Sequence, residues 1–161
     1  MGEGGEGVRR EDRLISIREL TPADPGLLAG MLDMFAQVFG DAAYRGARPG
    51  RSYSEKLLGS DTFIALAALD GGTVIGGLAA YELRKFEQER SEIYIYDLAV
   101  LESHRRKGVA TALIERLKAI AAARGAYVIF VQADYGDDAA IALYSKLGRR
   151  EDMLHFDIPL R

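Results

Sequence analysis

The run EIYIYDLAVLESHRRKGVAT, residues 92–111, changes character twice. Glu92 to Val100 sets Ile93 and Ile95 on one face and Tyr94 and Tyr96 on the other, the period of a strand. His104 to Gly108 is a basic turn closed by a glycine. From Val109 to Ala123 the chain is rich in Ala, Leu and Ile and stops at Gly125, which predicts a long helix. A helix that opens directly after such a turn presents unpaired backbone N–H groups and partial positive charge, so it suits a phosphate. Gly108 removes a side chain where the backbone would approach an anion, and Ala110 keeps the next turn open. Arg105, Arg106 and Lys107 add formal charge, and Thr111 adds a hydroxyl. The plainer alternative is an exposed basic loop that caps a helix.

Outward from this run, the apolar pattern alternates between strand and helix periods. Leu14–Leu20 reads as a strand, and Thr21–Pro25 supplies turn and helix-start residues. Leu27 to Phe39 carries an apolar stripe at helical spacing and ends at Gly40. The stretch to Gly50 reads as irregular, followed by a short helix over Ser52–Leu58. Phe63–Leu69 and Thr73–Leu83 form two strands joined by Asp70-Gly71-Gly72, a hairpin signal. On the far side, Tyr127–Ala133 is nearly continuous apolar, as in a strand buried on both faces. Asp138–Leu147 reads as a helix and Met153–Ile158 as a last strand. The expected fold is α/β: one domain over residues 14–161, a mixed sheet with helices on both faces, after a mobile Gly/Glu/Arg-rich tail at 1–13.

Composition removes several classes of function. The chain has 161 residues, 21 Lys plus Arg against 24 Asp plus Glu, and a formal charge of −3. With a pI near 5.5, nucleic acid is a poor partner. No cysteine is present, which excludes disulfides, thiolate metal sites and an acyl-cysteine intermediate. Only His104 and His155 are available to a metal, so none is expected. No apolar run approaches the roughly 20 residues a membrane helix needs, and the N-terminus has no apolar signal core. A soluble, cytoplasmic protein is the expectation.

Arg105-x-x-Gly108-x-Ala110, after Asp97-Leu98-Ala99-Val100, resembles the coenzyme A pyrophosphate loop of the GNAT N-acetyltransferase superfamily. Ala140-Ile141-Ala142-Leu143-Tyr144-Ser145-Lys146-Leu147-Gly148 resembles its second hallmark, the helix beside pantetheine and thiol. Thr62–Ala68, Lys85–Gln88, Arg90–Asp97, Tyr127–Ile129, Gln132–Asp138 and His155–Ile158 further resemble the aminoglycoside 3-N-acetyltransferases of the gentamicin-resistance type. The resemblance implies the GNAT fold, acetyl-CoA as co-substrate and direct acetyl transfer to an amine. It also implies a coenzyme site of Leu98, Ala99, Val100, Arg105, Arg106, Lys107, Gly108, Val109, Ala110, Thr111, Asp137, Ala140, Leu143 and Tyr144. The Tyr144 phenol would protonate the leaving thiolate, although an aromatic packed on a helix face is the plainer reading. Because this fold often pairs across edge strands, a homodimer is implied as well.

On the acceptor side, Asp134, Asp137 and Asp138 place three carboxylates in five residues with no cation among them. One of Asp137 and Asp138 serves as a helix N-cap, and a solvated acidic turn is the plain alternative. Neither explains Asp134, which follows an apolar strand directly. Such a loop attracts a polycation, and aminoglycosides and polyamines are polycations. Asp134 is the first candidate base for the acceptor amine, and Glu92 the second. Tyr81, Glu82, Tyr94, Tyr96 and Tyr135 are candidate walls of the acceptor site. His155 reads as a strand residue and His104 as a surface residue. The expected activity is acetylation of the 3-amino group of aminoglycosides, which confers resistance. The alternatives are acetylation of another polyamine or of a protein amine, and a module that binds acyl-CoA without turnover.

Overall fold

A computed structural model describes residues 15–40 and 42–161. The tail expected at 1–13 lies outside the described residues. The chain forms two compact units, one ending at Phe130 and the other spanning Val131–Arg161.

The first unit is organised on a five-stranded sheet in the order β1-β2-β3-β4-β5. Its strands are β1 (Ser16–Glu19), β2 (Phe63–Asp70), β3 (Thr73–Arg84), β4 (Ser91–Val100) and β5 (Ala126–Val131), whose last residue falls at the unit boundary. β1–β2, β2–β3 and β3–β4 pair antiparallel. β4 and β5 are joined by a helix, the crossover that parallel strands require, and the sheet is mixed. The helices are α1 (Pro25–Phe39), α2 (Ala42–Arg45), α3 (Arg51–Leu58) and α4 (Val109–Arg124). α2 lies in the stretch expected to be irregular. Proline at the start of α1 and left-handed glycines at the ends of α1 and α4 set these boundaries.

The register divides the sheet into two apolar faces. Phe63, Ala65, Ala67 and Ala99 pack with Met31, Met34 and Phe35 of α1 and Leu58 of α3. On the other face Ile64, Leu66, Leu78, Ile93 and Ile95 are buried, as are Leu113 and Leu117 of α4. Adjacent glycines on β3 serve both faces. A Cβ at Gly76 would stand 3.3 Å from Val109 Cγ1 of α4, and one at Gly77 3.0 Å from Met31 Cε of α1. Losing both side chains lets both helices approach the same strand.

The β3–β4 ladder breaks once. Ala79 pairs with Asp97 and Ala80 with Ile95, so Tyr96 has no partner and forms a bulge. Ile93 and Ile95 before the bulge therefore share a face with Leu98 and Val100 after it. Asp97 falls on the α1 face with Tyr81 and Tyr94.

Two further expectations change. β5 is not buried on both faces: Tyr127 is 48% exposed, because β5 ends the strand order and has a neighbour on one side. No strand forms at Met153–Ile158. The alternating Leu154, Phe156 and Ile158 stay exposed, since no ladder partner takes them up. The second unit holds α5 (Asp138–Leu147), which matches its expected bounds, and extended chain after it.

Candidate active site

The turn between β4 and α4 has the backbone of an anion cradle. A short 3₁₀ segment, Glu102–His104, leads into Arg105–Gly108, and this turn is exposed. Arg106 (φ 61°) and Gly108 (φ 76°) are both left-handed. Arg106 is the one described non-glycine residue in that region, where its side chain crowds its own backbone. No side chain caps the first-turn amides of α4, so those N–H groups are available to a ligand. A Cβ added at Gly108 would point into open space, with nothing within 4 Å. Uncapped amides, an unobstructed approach and adjacent cations fit a diphosphate. Arg105 is partly committed elsewhere, since its Nε donates to the Val100 carbonyl at 3.1 Å. Leu98 is half-buried while Ala99 and Val100 are buried, so this segment offers mainly backbone.

A row of rings crosses the α1 face of the sheet. Phe63 and Tyr81 lie 5.3 Å apart, Tyr81 and Tyr96 5.9 Å, Tyr96 and Tyr94 5.9 Å, and Tyr94 stacks on Phe130 at 4.8 Å. Beside the row sits the half-buried Asp97 carboxylate, which accepts a hydrogen bond from the Tyr44 phenol of α2. Burial pushes the Tyr81 phenol up, and the phenols of Tyr53 and Tyr96 and the Asp97 carboxylate add to it. Burial raises Tyr94 in the same way, with Tyr96 and Asp97 contributing. The face thus combines π-surfaces, hydroxyls and one carboxylate, a combination that takes an organic cation bearing hydroxyl groups.

Asp97, Tyr44 and Tyr53 were not among the sequence candidates. The signal for Asp97 was present: it is the one charged residue inside the apolar run Ile93–Val100. Tyr44 and Tyr53 lie in segments that carry no motif.

Two sequence candidates in this unit hold structural bonds. The Glu92 carboxylate accepts from the Tyr127 phenol and from Lys85 Nζ at 3.4 Å, tying β4 to β5. The Tyr127 bond first, and the Lys85 bond and charge after it, hold its pKa below the usual carboxylate value. Arg90 covers the other face of this tie, with its guanidinium 3.8 Å from the Tyr127 ring centre. Glu82 is only 9% exposed and binds Arg124 Nη1 at 2.9 Å. Burial pushes Glu82 up, but the hydrogen bond and charge of Arg124, with Ser91 and Arg84 contributing, outweigh it and leave the carboxyl lowered. His104 is not a free surface residue either. It is 19% exposed, and its Nε2 lies 2.9 Å from Asp70 Oδ2.

The second unit carries the acidic loop. Asp137 is the N-cap of α5, accepting from the Ala140 N–H at 3.2 Å, and Asp138 stands in the first helical turn. Asp134 is exposed; its carbonyl accepts from the Asp137 N–H at 3.2 Å. Tyr135 is exposed, with the Arg150 guanidinium 5.9 Å from its ring centre. Ala140, Leu143 and Tyr144 are half-buried. Burial, helped by the Asp137 charge, raises the Tyr144 phenol to about 12, so it stays protonated at neutral pH. His155 is exposed and pairs with Asp157 at 2.9 Å. Among the described residues, no group of three His, Asp or Glu could hold a metal, and no helix is long and apolar enough to cross a membrane.

The chain is similar to a crystal structure of an aminoglycoside acetyltransferase, HMB0005, from an uncultured soil metagenomic sample. The two are 60% identical over 92% of this chain and 99% of that one, with a TM-score of 0.90. A second aminoglycoside acetyltransferase from such a sample, meta-AAC0020, solved with sisomicin, is 29% identical over 93% and 99%, with a TM-score of 0.87. AAC(6')-Iy in complex with a bisubstrate analog shares the fold at 18% identity over 92% and 99%, with a TM-score of 0.72. No curated protein matches. The acetyltransferase (GNAT) family pattern matches residues 31–148, a span that runs from α1 through the phosphate-fitting turn to the end of α5. On the match and on that turn, the chain belongs to the GNAT family of acetyltransferases, which take their acetyl group from acetyl-CoA.

Proposed function

We propose that the protein acetylates an amino group of aminoglycosides, at the 3-position, and so confers resistance. The observation that carries this reading is the 60% identity over 92% of the chain to an aminoglycoside acetyltransferase. The Tyr81–Tyr96–Tyr94 face with Asp97 supports it, because a protonated amino sugar finds there both a counter-charge and rings to stack on. The 3-position rests on the resemblance of Gln132–Asp138 and the neighbouring segments to the gentamicin-resistance type.

Acetyl-CoA, when bound, supplies a thioester. The turn Arg105–Thr111 would hold its diphosphate through the α4 amides and the flanking cations. Asp97 would orient the acceptor ammonium, with Tyr44 fixing the carboxylate. Asp134 would take the proton the amine must lose before its nitrogen can attack, while Asp137 and Asp138 draw the polycation in. The N–C bond forms as the C–S bond breaks, and the Tyr144 phenol would protonate the departing thiolate. Glu92, tied down by Tyr127 and Lys85, keeps a structural part.

The test is incubation of purified protein with acetyl-CoA and gentamicin or sisomicin, beside a panel of polyamines and peptide amines. Thiol release is followed, and the modified nitrogen is mapped by NMR. The reading expects 3-N-acetyl product and at most weak turnover of the other amines. Coenzyme binding without aminoglycoside turnover would overturn it, and a 6'-N-acetyl product would overturn the position alone. The same reading carries a homodimer and a cytoplasmic location. Light scattering at the 17.6 kDa of one chain would remove the dimer.

A further inference from the structure

We propose that Asp70, His104 and Ser103 form a brace that holds the turn Arg105–Gly108 in its ligand-ready shape. The inference rests on reading that turn as the diphosphate site. It starts from a cost in the backbone: Arg106 and Gly108 are both left-handed, and a left-handed arginine persists only when its surroundings impose it. Within the turn, Arg105 Nε on the Val100 carbonyl supplies one anchor. The second comes from a different hairpin, 34 residues away in sequence. His104 Nε2 meets Asp70 Oδ2 at 2.9 Å, and His104 Nδ1 meets Ser103 Oγ at 2.8 Å.

The hydrogen-bond network assigns the ring: Nε2–H donates to the carboxylate, and Nδ1 accepts from the Ser103 hydroxyl. Both ring nitrogens are then satisfied, which fixes the imidazole on both edges. Asp70 is the last residue of β2, opposite Thr73 across the Gly71-Gly72 turn. The Leu101 N–H donates to the Ile75 carbonyl at 2.8 Å, so the start of the turn runs beside the same hairpin. Asp70 Oδ1 is shut away from water without a partner. Its carboxylate therefore depends on the histidine, and deleting either residue leaves the other stranded. The brace touches neither the acceptor face nor the acidic loop. It is a positioning device: it lowers the ordering cost of binding coenzyme A by meeting that cost during folding.

The experiment uses the full chain with His104→Ala, Asp70→Ala, the double variant, and His104→Gln, whose amide can still donate to Asp70. Coenzyme A affinity is measured by calorimetry, and amide hydrogen exchange is followed over residues 102–111 in the free protein. His104→Ala and Asp70→Ala should each weaken coenzyme A about tenfold and speed exchange in that segment. kcat at saturating acetyl-CoA and acceptor KM should stay within about twofold, and His104→Gln should recover most of the affinity. The double variant should lose no more than either single one. Unchanged affinity and exchange in the folded variants overturns the brace, as does additive loss in the double variant. Gly108→Val separates the two readings. If coenzyme A still binds it normally, the diphosphate reading fails; if binding is lost there while His104→Ala binds normally, the brace alone fails. Should His104→Ala not fold, Ser103→Ala decides, since faster exchange over 102–111 supports the brace and unchanged exchange overturns it.

Discussion

Asp97 shows how much one side chain decides in this protein. It stands in a strand of isoleucines and tyrosines, its carboxylate held by Tyr44 and flanked by Tyr81 and Tyr96. If it carries the acceptor ammonium, Asp97→Asn should lower kcat/KM for an aminoglycoside about 10- to 100-fold, matching the roughly 1.5–3 kcal/mol of a charge-assisted hydrogen bond. Coenzyme A affinity should hardly change; equal loss of both in steady-state and binding measurements would make the residue structural. Tyr144→Phe probes the other end of the reaction. Because the phenol is raised to about 12, it is a proton donor at any physiological pH, and its loss should cut kcat about 100-fold with acceptor KM little altered. The basic turn stood out in the sequence through its own residues and spacing, and Tyr144 through the resemblance of Ala140–Gly148 to a family hallmark. Asp97 was passed over because the signal of a lone charge in an apolar strand takes on a meaning only when its neighbours across the sheet are known.

At the scale of elements, the half-buried clasp between β3 and α4 makes a stability prediction. Arg124 binds both Glu82 and the Asp61 carbonyl, the latter at 2.6 Å. Removing the cation in Arg124→Met strands a nearly buried carboxylate and should cost about 3 kcal/mol in denaturant unfolding. The pH dependence has a definite sign. The folded pKa of Glu82 lies below its unfolded value, so its contribution is complete above the unfolded pKa and lost as pH falls through the folded one. Arg124→Met should therefore flatten the decline in Tm below about pH 4.5, and an unchanged acid limb would assign that decline to other carboxylates. The elements themselves were largely legible, because helix caps and hairpin glycines are local chemistry. The failures were those of context. Tyr127–Val131 is as apolar as a central strand yet lies at the edge of the strand order, and Met153–Ile158 alternates like a strand yet has no ladder to join. Apolar alternation records a preference for pairing, and only a partner turns it into a strand.

For the whole molecule, the near-zero net charge conceals opposed patches. Arg105–Lys107 is exposed on the first unit, and Asp134, Asp137 and Asp138 are exposed on the second. If each meets a ligand of opposite sign, raising ionic strength from about 0.05 to 0.5 M should increase KM for both acetyl-CoA and the aminoglycoside, as the screening length shrinks to a few ångströms. A neutral amine acceptor should show the coenzyme effect alone, and salt-independent KM values would dismiss electrostatic recruitment. The unpaired Tyr96 in β4 bears on a different matter, the freedom of this gene to change. An odd-numbered isoleucine pair and an even-numbered Leu98 and Val100 line one apolar layer only because one residue is surplus between them. Pairing the same residues straight through, with no bulge, would turn Asp97 into that layer behind the isoleucines and swing Leu98 and Val100 out of it. A one-residue insertion or deletion within β4 should therefore be tolerated only at the bulge, where loss of Tyr96 restores plain alternation and leaves Asp97 on the α1 face.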